Sequence, residues 1–466
     1  LADIIKSTHR GIKVDIFEED KMKTHLKISN RFRELLKQEL QLWQADGLIS
    51  TEQSSAISQR YQLDQMAKES THLLLFVIYI IGTVLVGAGV ISFVAANWES
   101  IPAAAKVAMI VAFMLACHLI GYYLWRISAI SPRLGHALVV LGTLVFGANI
   151  GLMAQIFHIK SNFYNGLFAW AIGAIIMAYA LESVPNAVIA ILVSFIGFCG
   201  WAVDSPQSFC YYPFVAAAIF LPFAYLCRSV LAFSLSLLAV GLSVVVCVDL
   251  DYREFVSFGL AAPGAALLFF AYGLLLHRTA NFKTFASPAM VVATAFTAFG
   301  AYLSSFHFYG MRFPNLFEHR MWLVPTICLY VPAVVMWGLA FKGTLADGKI
   351  RWVALGVLVS CVLVAAPIVL TPILMSVPDF FWSTVLSNVA CLVLSAGLIA
   401  NSFRAEDRQF FWAGVLFVAL VIASRFFEYE TGLLIKAVVF ITCGIGLILA
   451  GVGFENYLKQ RGMTNE

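Results

Sequence analysis

The sequence predicts an all-α fold: a polytopic transmembrane helical bundle of about 14 spans, preceded by a small N-terminal cytoplasmic helical hairpin. Three observations carry this reading. Hydrophobic residues make up 61% of the 466 positions and charged residues 12%, with a mean hydropathy of +0.87, against roughly 45–50% apolar and about 25% charged in soluble domains. From Leu73 onward, apolar stretches alternate with short polar punctuation, each near the roughly 20 helical residues that cross a hydrocarbon core of about 30 Å. Charge gathers at the front, where residues 1–72 hold 11 of the 30 Lys and Arg and 11 of the 26 Asp and Glu. The domain boundary therefore falls at 72/73, with a cytoplasmic hairpin domain over 1–72 and a multi-pass domain over 73–466.

In the hairpin, Phe32, Leu35, Leu36, Leu40 and Trp43 recur at three- and four-residue spacing, one face of a helix over about 18–45. Asp46-Gly47 breaks it. Ser50-Thr51-Glu52-Gln53 then reads as a capping box, in which the Ser50 hydroxyl and the Gln53 amide satisfy the first free N–H groups of a second helix through Ile57, Tyr61 and Leu63. Equal numbers of acids and bases give this hairpin no phosphate-seeking surface, so nucleic acid is not an expected partner. A protein docked on the hairpin is.

The predicted spans are 73–95, 103–125, 134–156, 166–181, 186–203, 211–227, 229–248, 255–276, 285–306, 321–341, 352–374, 380–401, 409–424 and 433–454. Connections almost vanish at 182–186 and at Arg228. Nothing in 1–72 resembles the short apolar core of a cleavable signal, so insertion is expected through the spans themselves. Lys and Arg are retained on the cytoplasmic side. Placing the hairpin inside puts Arg126, Arg228, Arg278, Lys283, Arg351 and Arg404 in inner loops, and leaves Lys160, Arg253, Arg312, Arg320 and Arg425 outside. Both termini are then cytoplasmic. The nine cysteines lie mostly inside apolar runs without zinc-type spacing and read as buried thiols, with a Cys199–Cys210 bridge considered for one outer loop.

Chemistry-bearing residues are sparse inside the spans. All fifteen carboxylates after residue 72 fall in loops, span ends or the tail, so the mid-membrane carboxylate of an ion-coupled pump is missing. His118, Asn149 and Asn388 are the candidate intramembrane polar groups, and interhelical hydrogen bonding is the plain role for each. The outer loops are richer. Asn97, Trp98 and Glu99 end the first span, Lys106 opens the second, Gln155 and His158 end the third, and Arg425, Glu428, Glu430 and Lys436 surround the start of the last. These ten form the candidate substrate-binding set; the structural alternative is an aromatic belt, snorkelling lysines and a capping asparagine. No catalytic motif, metal-ligand cluster or cofactor fingerprint is present.

"LQLWQADGLISTEQSSAISQRY" (Leu40–Tyr61), "GAGVISFVAANWESIP" (Gly87–Pro102) and "LGTLVFGANIGLMAQIFHI" (Leu141–Ile159) resemble the bacterial predicted-membrane-protein family known as domain of unknown function 2157. "RFFEYETGLLIKAVVFITCGIGLILAG" (Arg425–Gly451) resembles the closing segment of its long members. The resemblance implies a multi-pass bacterial inner-membrane protein, with a family core over about 73–181 and further spans over 182–466. It singles out Trp43, Gly47, Asn97, Trp98, Gln155 and His158, and carries no assigned activity.

The expected function is therefore an outward-facing polar cavity that binds or passively moves a small solute, ion or lipid headgroup. The alternatives are a non-catalytic membrane subunit or scaffold docking a partner through its hairpin and, less favoured, a membrane-embedded enzyme. Beyond the lipid bilayer and that protein partner, no cofactor is expected.

Overall fold

In the computed structural model the described residues are 36, 39, 40, 42–44, 46–61, 85, 101–128, 131–204, 211–252, 256–306, 323–344, 350–374, 380–428 and 432–464. The chain divides into two compact units, Leu1–Pro102 and Ala103–Glu466.

In the first unit, helical residues 42–44 stop at Gly47, whose φ of +72° is in the left-handed region. The Gly47 N–H donates to the Gln44 carbonyl at 3.3 Å and the Leu48 N–H to the Trp43 carbonyl at 2.9 Å, the paired bonds of a Schellman stop that glycine makes without a Cβ penalty. Helix α1 (Thr51–Tyr61) begins immediately after. Its capping box is reciprocal: the Gln53 N–H donates to Ser50 Oγ at 3.2 Å, and the Ser50 N–H donates to Gln53 Oε1 at 3.0 Å. Most of the expected preceding helix lies outside the described residues.

The second unit is a succession of helices, the expected answer to a solvent in which every backbone N–H must be satisfied within its own segment. They are α2 (Ala103–Tyr122), α3 (Pro132–Ile156), α4 (Phe163–Leu181), α5 (Val184–Asp204), α6 (Tyr212–Leu226), α7 (Val230–Tyr252), α8 (Val256–Arg278), α9 (Ala286–Ser304), α10 (Leu323–Thr344), α11 (Arg351–Leu374), α12 (Phe380–Ala405), α13 (Arg408–Glu428) and α14 (Leu433–Thr464). Among the described residues ten helices are long and apolar enough to cross a membrane, and Tyr212–Leu226, Leu329–Ala340 and Arg351–Pro367 are shorter apolar helices. The first expected span, 73–95, lies outside the described residues except for helical Leu85.

Short connections make the helices alternate in direction, which defines an Ile156 end and a Leu181 end. Several turns are closed by a side chain no turn rule favours: His158, Glu182, Arg228 and Glu406 have φ of 51°, 51°, 49° and 55°. Each follows a helix end by one or two residues and puts left-handed backbone where glycine is usual. That geometry allows the near-vanishing connections at Glu182 and Arg228. At the Leu181 end α2 runs into a π turn, Tyr123–Ile127. Arg126 Nη2 there donates to the Leu181 carbonyl at 2.9 Å, Trp125 stacks on His136 at 4.1 Å, and His136 Nε2 lies 2.7 Å from Ser183 Oγ.

The core is centred on α8, with 83% of its apolar window buried against 6% for α2. Ala261, Ala262, Ala265, Ala266 and Ala271 are all buried and let neighbouring backbones approach closely. Polar tips on α10 find α8 carbonyls: Tyr330 Oη donates to Leu260 at 2.8 Å, Trp337 Nε1 to Leu267 at 3.0 Å. Arg278 closes the same seam from the other side by donating to Leu339 and Ala340. These pairings rise together along both chains, so α8 and α10 run parallel.

Candidate functional site

Helices α2, α3 and α4 line a half-open cavity of about 770 Å³ at the Ile156 end. Two glycines one turn apart on α3 create it. A Cβ on Gly147 would meet the Trp170 ring at 2.3 Å, whereas a Cβ on Gly151 would meet no described residue within 4 Å. At the first position α4 therefore presses an indole onto the bare backbone, with Trp170 Nε1 donating to the Thr143 carbonyl at 2.9 Å. One turn on, the same small side chain leaves space. Gly173 repeats the device in reverse by admitting the Phe146 ring.

Among the described residues the polar lining of this cavity is Asn149, Ser161, Asn162 and Asn165, with no Lys, Arg, Asp or Glu. Asn165 Nδ2 donates to Ser161 Oγ at 3.1 Å, and Asn162 Nδ2 donates to the Tyr164 hydroxyl. Asn149 is buried, at 5% exposure. Its Nδ2 has only the weak acceptor Met114 Sδ at 3.7 Å, and its Oδ1 has no partner among the described residues. His118, a turn further along α2, places Nδ1 3.0 Å from the Met114 carbonyl, and its Nε2 is buried without a partner among the described residues. A backbone carbonyl only accepts, so Nδ1 carries the proton in that contact and the imidazole is held as a hydrogen-bonded side chain of its own helix. A buried amide oxygen left unmatched costs about 1–3 kcal/mol unless something bonds to it.

A second polar group at the same end is largely self-paired, although the buried Arg425 Nε has no partner among the described residues. Arg425 Nη1 donates to the Ser305 carbonyl at 2.9 Å and to Glu428 Oε2, and Nη2 donates to Ser305 Oγ at 2.6 Å. The guanidinium lies 4.3 Å over the Phe306 ring. Asn388 Nδ2 donates to the same Ser305 carbonyl at 3.1 Å and to Thr384 at 2.8 Å. The side chains of Arg425 and Glu428 are 18% and 8% exposed. This arrangement ties α9, α12 and α13 together.

Of the candidate binding set, then, Arg425 and Glu428 meet, with Asn388 joining them. Gln155 and His158 are exposed at the end of α3, where His158 Nδ1 lies 2.9 Å from the Gln155 carbonyl. Lys106 and Lys436 are half-buried in the first turns of α2 and α14. Helix α3 packs on α2, α4 and α5, and α13 on α12 and α14, so among the described helices Gln155 and Arg425 share an end of the unit while their helices pack on different neighbours. Asn97, Trp98, Glu99 and Glu430 lie outside the described residues. Among the described candidates, Asn149 alone lines the cavity. The neighbours Ser161, Asn162 and Asn165 were not singled out in the sequence, although "SNFYN" (Ser161–Asn165) carries three small polar side chains at the mouth of a span.

A further cavity of about 750 Å³ lies at the Leu181 end, with His277, Lys283, Asn401, Asp407 and Gln409 among its lining residues. Of these only Lys283 was marked in the sequence, as an inner-loop cation and not as part of a site. Among the described residues no group of three or more His, Cys, Asp or Glu is placed to hold a metal ion. Cys199 is a free thiol, so the bridge considered between Cys199 and Cys210 is not formed; Cys247, near the Ile156 end of α7, is disulfide-bonded instead.

The fold defines a membrane protein built from many apolar helices. Residues 41–186 match the family described as "Predicted membrane protein (DUF2157)", a segment that contains the capping box, α2, α3, α4 and the cavity between them. No curated protein and no solved structure matches the chain.

Proposed function

We propose that this protein is a fourteen-span bacterial inner-membrane protein, with both termini cytoplasmic, whose α2–α3–α4 cavity faces outward and binds a small neutral solute. Sidedness is supported by charge. Arg126, Arg133, Arg228, Arg278, Lys283, Lys342, Arg351, Arg404, Arg408, Lys459 and Arg461 gather at the Leu181 end, and only Lys106, Lys160, Arg425 and Lys436 among the described residues of the second unit belong to the Ile156 end. Basic residues stay inside. The disulfide at Cys247 sits at the end this assigns to the oxidising compartment.

The observation that carries the ligand class is the lining. Among the described residues four uncharged hydrogen-bonding side chains line an otherwise apolar cavity, and one of them, Asn149, has an acceptor with no partner there. A charged solute entering there would lose its hydration without gaining a counter-charge, a cost of several kcal/mol. A neutral amide, polyol or sugar exchanges water for hydrogen bonds of similar kind. The Arg425 guanidinium does not serve as an anion site in this reading, because Ser305 and Glu428 already occupy both of its terminal nitrogens. Binding or passive movement is the role, with no chemical step.

The reading is tested by thermal unfolding of the detergent-purified protein against neutral amides, polyols and sugars and their carboxylate or ammonium analogues. A ligand at 100 times its Kd raises stability by about 2.7 kcal/mol. Neutral compounds are expected to stabilise the wild type and not Asn149→Leu. Stabilisation confined to charged analogues, or equal in the two proteins, contradicts it.

A further inference from the structure

The cavity at the Leu181 end has the proportions of a lipid rather than of a soluble ligand. Helix α9 packs on α7, α8, α11 and α12, and α13 on α12 and α14, which leaves a slot between α9 and α13 with α12 at its back. Ser287, Val291 and Ala295 on α9 line the slot and are exposed, as is Ala413 on the facing wall of α13. At i, i+4 and i+8 they form one stripe along the helix, so the slot is open sideways, where an apolar helix face meets the bilayer. Its lining runs on α9 from Ala286 to Ala298. Twelve steps at about 1.5 Å give roughly 18 Å, close to the thickness of one leaflet of a core of about 30 Å.

The polar lining gathers at one end of this slot. His277 is in the last turn of α8, Lys283 in the 3-10 turn Ala280–Phe285, Asn401 in the last turns of α12, and Asp407 and Gln409 at the start of α13. Lys283 Nζ makes no hydrogen bond or ion pair among the described residues. Asp407 Oδ1 accepts from the Gln409 N–H at 2.8 Å, capping α13 and leaving its other oxygen available. The two charges are thus of opposite sign, on the same mouth, and not paired with each other. Asn401 is 2% exposed, and its Oδ1 has no partner among the described residues. That buried acceptor is matched by a donor from a headgroup and not by an acyl chain alone.

We propose that the α9–α13 slot holds a glycerophospholipid with a zwitterionic, amine-bearing headgroup. The acyl chain lies along Val291, Ala295, Ala413 and Phe417, the phosphate faces Lys283 and His277, and the ammonium donates toward Asp407 and Asn401. This site is separate from the α2–α3–α4 cavity and stands or falls without it.

Two variants test it. Ala295→Phe fills the slot from its lipid-facing side, and Lys283→Glu alters only an exposed headgroup contact. Each is purified in mild detergent beside the wild type, the tightly held phospholipid is measured by mass spectrometry, and delipidated protein is titrated with phosphatidylethanolamine or phosphatidylglycerol. The wild type is expected to retain phosphatidylethanolamine in stoichiometric amount and to prefer it to phosphatidylglycerol. Ala295→Phe should lose it with its helical content unchanged. Should that variant fail to fold, Lys283→Glu decides, with a roughly tenfold loss of affinity for phosphatidylethanolamine expected from removing one charge-assisted contact. Equal retention of the two lipids, or affinities unaltered by Lys283→Glu, overturns the proposal.

Discussion

The Arg425 cluster and the Asn149 cavity both bury polar side chains at the Ile156 end, and they pair them to different extents. Among the described residues both terminal nitrogens of Arg425 are bonded and its Nε is not, whereas Asn149 has only a weak sulfur acceptor. Around Arg425 a cation, an anion, a serine and an aromatic face close on one another across α9, α12 and α13. Around Asn149 an amide oxygen and an open turn at Gly151 are left without a match. In a low-dielectric surrounding an unmatched polar group is costly while a largely paired set holds helices together. The contrast separates residues that build the bundle from residues available to a ligand, which charge alone does not do.

Arg425→Ala is the strongest way to break that contrast. It strips Glu428 of its cation and Ser305 of two donors, and a loss of about 3–5 kcal/mol is expected, as for other buried pairs deprived of one partner. Unfolding in a mixed-detergent titration measures it. Arg425→Lys should recover only part of the loss, since a point charge cannot reproduce the fork that reaches Ser305 and Glu428 together. If Arg425→Ala unfolds like the wild type, the cluster is not structural.

The two α3 glycines sharpen the comparison within the cavity itself. Gly147→Val drives a side chain into the Trp170 ring and should cost about 1–3 kcal/mol, the usual range for overpacking. A Cβ at Gly151 meets no atom of the described residues within 4 Å, so Gly151→Val should fold with near-wild-type stability while narrowing the cavity. Comparable damage from both would remove the distinction between the filled turn and the open one.

The smallest effect belongs to Asn149. Asn149→Leu exchanges an amide with an unmatched oxygen for an apolar group of similar size, and such exchanges are nearly neutral or stabilising. Its thermal midpoint is expected to equal or slightly exceed that of the wild type without ligand, even as ligand-induced stabilisation disappears.

Where helices begin and end along the chain was legible in the sequence, and lateral neighbourhood was not. Runs of apolar residues between polar loops mark the helices, so α2 to α14 form where hydropathy puts them and the Ser50–Gln53 capping box forms as its spacing predicts. The stops at His158, Glu182, Arg228 and Glu406 were hidden because their left-handed backbone is not carried by glycine. Gln155 and Arg425 share an end of the unit, which made them look like one site; helix packing sends them to different neighbours. The slot between α9 and α13 was hidden for the converse reason. Its walls are Ser287, Ala295 and Ala413, small residues whose plain reading is close packing, and its polar mouth is assembled from α8, the following turn, α12 and α13.

The most direct measurement is labelling of Gly151→Cys by a membrane-impermeant maleimide in intact cells and in inside-out vesicles, in a background that keeps Cys247 and replaces the free cysteines. An outward-open cavity predicts reaction in cells, and slower reaction when a stabilising neutral solute is present. Reaction only in inside-out vesicles, or in neither preparation, contradicts it.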